Sequence, residues 1–106
     1  MANVEELLGA LREECAKILD YISASDIPET EKEWLEYKAL ALEVITADAQ
    51  YGFNWGKMQD LLLKLMALKT EAANFTWAGE EREKFLESVQ KVKEVIRQIK
   101  DEQTWI

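Results

Sequence analysis

The sequence predicts an all-α protein, a four-helix up-down-up-down antiparallel bundle. Two observations set the class. Apolar residues recur at steps of three and four along four separate stretches. Glycine (4) and proline (1) are scarce, while the helix formers Glu, Lys, Leu and Ala abound. A third observation sets the topology: the connections are short, which makes successive helices antiparallel neighbours. A three-helix core with a peripheral fourth helix is the alternative. The chain of 106 residues is expected to form one domain, 1–106, with helices at about 3–23, 28–51, 55–75 and 79–102.

The first helix is expected to open at Asn3, a good N-cap with Glu6 three residues on. Val4, Leu8, Leu11, Cys15, Ile18 and Ile22 then form its apolar stripe. Gly9 interrupts it, as either a close helix approach or a tolerated surface glycine. The segment SASDIPET, residues 23–30, ends it, because the residue before Pro28 is held out of helical conformation.

In the second helix Trp34, Tyr37, Ala41, Val44 and Tyr51 fall on one heptad-spaced stripe, read as the core-facing one. Leu35, Leu42 and Ile45 lie beside it. Asp48 sits on the same stripe, where an apolar residue is expected; near the helix end it is expected to reach water, whereas buried it would need a partner.

YGFNWG, residues 51–56, is the clearest break in the chain, with Gly52 placed to end one helix and Asn54 to cap the next. The third helix carries Met58, Leu61, Leu65, Leu68, Ala72 and Phe75, flanked by Leu62 and Met66. It is the most apolar helix and is expected to be the most buried. NFTWAGEE, residues 74–81, leads into the fourth, whose stripe Phe85, Val89, Val92, Ile96 and Ile99 is the cleanest in the chain. A homo-oligomer through helix 79–102 is allowed by that stripe. A shift of 51 residues aligns nine identities in 55 pairs, a level that shared amphipathic patterning accounts for.

No catalytic residue, cofactor or metal ligand set is predicted. The chain has no histidine, which removes the commonest general base near neutral pH and most zinc and iron sites. There is no glycine-rich phosphate loop and no EF-hand spacing. Cys15 lies on an apolar stripe, where a thiol serves as a small core residue.

The net charge of −8 disfavours direct binding to nucleic acid or to an anionic membrane. The longest apolar run, LLLKLMAL, is too short to span a bilayer, and no leader pattern opens the chain. With a single cysteine, a cytoplasmic location is expected.

Charge is unevenly spread: the first two helices carry −3 and −5, the third +1 and the fourth −1. The first two are neighbours in a bundle, so one wall is acidic. Such a wall attracts basic partners.

The expected function is therefore non-catalytic protein–protein interaction, as an inhibitor, adaptor or assembly subunit that binds a basic or apolar protein surface. Candidate interface residues are the aromatics Phe53, Trp55, Trp77 and Trp105 and the acids Glu29, Glu33, Glu36 and Glu43. Tyr51 is expected to pack inward and Phe53 or Trp55 to be the more exposed. Two other readings stand beside this one. The first is a structural or engineered scaffold without evolved activity, against which Gly9, Cys15, Asp48 and YGFNWG weigh as irregularities. The second is a carboxylate-based metal-binding or catalytic bundle, which requires a polar internal cavity around Asp48 or paired glutamates.

Overall fold

A computed structural model describes residues 3–77 and 79–103. Among these residues four helices make up the fold: α1 (Val4–Ala24), α2 (Glu29–Tyr51), α3 (Trp55–Ala72) and α4 (Glu81–Gln103). They form the bundle expected from the sequence. Cross-helix pairs show the alternation of direction. Arg12 donates to Gln50 and Ser23 to Glu36 between α1 and α2, and Lys38 pairs with Glu71 between α2 and α3.

Local chemistry sets the ends. The Asn3 side chain accepts the Glu6 N–H at 2.8 Å, and that of Asn54 accepts the Lys57 N–H at 3.0 Å, so both cap helix N-termini. Pro28 precedes α2 with no side-chain cap. Gly52 ends α2 in extended conformation, its N–H on the Asp48 carbonyl. α3 stops at Ala72, short of the expected residue 75, and its last carbonyls are taken by the amides of Ala73, Asn74 and Phe75. Gly79 adopts a φ of 78°, where a Cβ would also meet the Glu81 carboxylate. That position requires glycine.

The core is drawn from all four helices. Leu8, Leu11, Cys15, Ile18 and Ile22 of α1 are buried, as are Phe85, Val89, Val92, Ile96 and Ile99 of α4. The α4 stripe is thus spent inside the chain's own core. Ile27 and Trp77 close one end of the core. The Trp77 indole N–H donates to the Ala72 carbonyl at 3.2 Å, and its ring lies 5.1 Å from that of Phe85.

Two expectations fail. First, the stripe of α2 read as core-facing points outward. Trp34, Tyr37, Val44 and Tyr51 are exposed by 57%, 66%, 62% and 97%. The core instead takes Leu35, Ala39, Leu42, Thr46 and Ala49, one or two positions along. The reason is size: Ala39, Thr46 and Ala49 let neighbouring backbones approach closely, and a pattern weighted by bulk overlooks them. Tyr51 therefore does not pack inward, whereas Phe53 and Trp55 are half-buried against the core.

Second, α3 is not the most buried helix, since Leu62, Leu63 and Met66 remain exposed. Its partners explain this. α1 packs closely on α2 and α4, and α3 on α2, but the α3–α4 seam is the loosest of the four. The echo at a shift of 51 extends to the Asn3 and Asn54 caps but not to the packing of its leucines, since it pairs buried Leu11 and Leu35 with exposed Leu62 and Leu86.

Candidate functional site

The sequence-predicted interface residues do not converge. Trp77 is buried and offers no surface. Phe53 and Trp55 are half-buried, and Trp105 lies outside the described residues. Glu29 and Glu33 are exposed on α2. Glu36 is half-buried and accepts the Ser23 hydroxyl at 2.9 Å. Glu43 is half-buried and close enough to Cys15 to act on its thiol. What the structure does bring together are two surfaces of opposite character.

The first is the outward face of α2. Trp34, Tyr37, Ala41 and Val44 recur at three and four residues and share one side of the helix. Leu40 is exposed beside them. The Trp34 and Tyr37 rings stack at 5.8 Å with 9° between their planes, and the Lys38 ammonium sits 5.1 Å above the Trp34 ring. Lys38 also pairs with Glu71 of α3, so the aromatic pair is held in place from the neighbouring helix.

Tyr37, Leu40, Ala41, Val44 and Ile45 line, with Lys64 of α3, a shallow hollow of about 300 Å³. Glu33 precedes Tyr37, and Glu36 precedes Leu40, by one helical turn. Asp48 follows Val44 by the same step. The cations here are engaged: Lys38 with Glu71, Lys64 with Asp60 at 3.0 Å, and Lys57 with Asp48 at 3.4 Å. An apolar ridge with an acidic border results.

Asp48 is the residue whose meaning changes most. On a core stripe it is an anomaly. On an outward stripe an exposed carboxylate paired with Lys57 is ordinary. It was the one signal in the sequence that the stripe faces water, and its carboxylate is exposed.

The second surface is the α3–α4 seam. Two hollows follow one another along it. One, of about 550 Å³, is lined by Trp55, Leu62, Met66 and Ile96 with Lys93, Arg97 and Lys100. The other, of about 230 Å³, has Lys69 and Arg82 at its edge and Trp77 and Phe85 at its base. Five of the 13 basic residues thus border one furrow, and among the described residues no carboxylate lines either hollow. In a chain of net charge −8 this is a local reversal of sign. Sequence reasoning missed it because α4 as a whole is near neutral. The signal was Lys93, Arg97 and Lys100 at steps of four and three on one flank of the helix.

Two interior groups complete the chemistry. Cys15 is fully buried. Desolvation pushes its thiol pKa up to about 12, with Glu43 and Glu14 adding to the rise. A thiol in that state is a poor nucleophile. Glu14 is buried; one carboxylate oxygen meets the Lys17 ammonium at 3.2 Å and the other accepts no hydrogen bond among the described residues. Among the described residues no three of the Cys, Asp and Glu side chains converge as a metal ligand set would. None of the helices is long and apolar enough to cross a membrane. Compared with known protein families, curated proteins and solved structures, the chain matches none of them.

Proposed function

We propose that this chain works by binding another protein through the outward face of α2, and that the complementary surface is apolar with a basic border. One observation carries the reading: Trp34, Tyr37, Leu40 and Val44 are exposed together on one helix face although the core is complete without them. Large apolar side chains grouped on one face mark an interaction surface, whereas scattered ones do not. Trp and Tyr are the residues that most often dominate binding energy. The acidic border supplies the sign of the partner and a faster encounter with it.

A synthetic Leu/Lys amphipathic helix tests the reading. Titrated into the labelled protein at low salt, it is expected to shift the amide resonances of Trp34, Tyr37, Leu40 and Val44 first. It is expected to lose affinity as salt rises. The variant Y37S/V44S is expected to fold normally and to show no such shifts. Shifts confined to other helices, or unchanged in that variant, would sink the proposal.

A further inference from the structure

The ridge on α2 and the furrow between α3 and α4 complement each other, and both belong to the same chain. We infer that the partner of the α2 face is the α3–α4 furrow of a second copy, so that the protein assembles head to tail. This rests on the reading of the α2 face given above and names its partner.

Three properties match. The first is shape. Trp34, Tyr37 and Val44 project from the α2 face beside its shallow hollow, and the furrow is concave because α3 and α4 barely meet. The second is polarity. Trp34, Tyr37, Leu40 and Val44 are exposed on the ridge. Trp55, Leu62, Met66 and Ile96 line the furrow. The third is charge. The ridge is bordered by the exposed Glu29 and Glu33 and the half-buried Glu36, while Asp48 and Lys57 offset each other, and Lys38 and Lys64 are already paired within the chain. Lys93, Arg97 and Lys100 at the furrow form no ion pair among the described residues. Lengths also agree. From Trp34 to Tyr51 the ridge runs about 26 Å, and from Arg82 to Lys100 the furrow runs about 27 Å, at the helical rise per residue.

The alternative symmetric pairing, α2 against α2, opposes two segments that each carry −5. Like charges brought face to face are destabilising, so the ridge is poorly suited to itself. A ridge-to-furrow contact uses two different patches. It leaves a free ridge at one end of every assembly and a free furrow at the other. Association of this kind grows with concentration and closes only if the rotation between copies permits a ring.

That asymmetry supplies the test. Y37S/V44S removes the ridge and leaves the furrow intact; K93E/R97E does the reverse. All four positions lie away from the buried core. In sedimentation at low salt the native chain is expected to associate with rising concentration, with affinity falling about tenfold as salt approaches half-molar. Each variant alone is expected to stay monomeric. Their equimolar mixture is expected to form a dimer and nothing larger, because one intact ridge meets one intact furrow.

A native chain that stays monomeric at millimolar concentration overturns the inference. So does self-association of K93E/R97E alone, which would mean ridge-to-ridge pairing, or of Y37S/V44S alone. A mixture that fails to dimerise also overturns it. Should either double variant fold poorly, the pair V44K and K100E repeats the experiment with single changes. The Leu/Lys peptide separates the two proposals: if it binds the α2 face while the native chain stays monomeric, the interaction surface stands and the self-assembly falls.

Discussion

Single residues here divide by whether the core can do without them. Cys15 cannot be reached by reagent or solvent while the chain is folded. Its thiol is expected to react with a thiol-specific reagent only as fast as the protein opens; reaction at the rate of a free thiol would contradict its burial. The raised pKa also has a sign for stability. The folded thiol holds its proton up to about 12, while an unfolded one loses it near 9.0. Its stabilising effect is therefore complete below pH 9.0 and declines by about 1.4 kcal/mol per pH unit above it, toward pH 12. Alkaline denaturation of the native chain against C15A should show that slope only in the native chain.

Gly9 is the opposite case. A Cβ there would meet nothing closer than the Gln50 side chain at 3.8 Å, an ordinary contact. The close-approach reading of this glycine is therefore not needed. G9A is expected to raise stability by roughly 0.5–1 kcal/mol in urea unfolding. At Gly79 the same change is expected to destabilise, because φ is 78°. Trp77 joins a hydrogen bond to a packed ring, and W77A is expected to cost about 3–5 kcal/mol in the same measurement.

Among the elements, α1 and α4 were legible because each has a single apolar arc, and such an arc has only one place to go. The Asn3 cap of α1 and the stripes of both helices match the structure nearly residue for residue. α2 was not, because it is apolar on two sides. One arc is bulky, the other mostly small, and side-chain bulk pointed to the wrong one. Asp48 stood against that choice from the start.

The candidate site inherited this error. Bulk and spacing place Tyr37 and Val44 in the core and Trp77 at the surface, whereas the structure exposes the first two and buries the third. Stability separates the two arcs. L42A is expected to cost about 2–5 kcal/mol and V44A well under about 1 kcal/mol, by denaturant midpoint. Equal losses at both positions would restore the original assignment of the stripe.

On the scale of the whole molecule, topology followed from short connections, but the quality of each seam did not. Nothing in a heptad pattern says that α3 and α4 will fit loosely. The cations Lys93, Arg97 and Lys100 line that seam, and a charged side chain resists burial between two helices. The same cations place a basic patch on an acidic protein. Regional net charges, summed helix by helix, average such a patch away.

The loose α3–α4 seam has a kinetic consequence. These two helices are adjacent in sequence, so their hairpin is the cheapest one the second half of the chain could form. Yet little holds it together, and α4 rests mainly on α1, the helix farthest from it along the chain. That contact closes the longest loop in the fold and is therefore expected to form last. Trimming the α4 core at Val92 to alanine should leave the refolding rate almost unchanged and speed unfolding, whereas trimming Leu11 should slow refolding. A chevron for each variant would show whether the last helix is also the last to arrive.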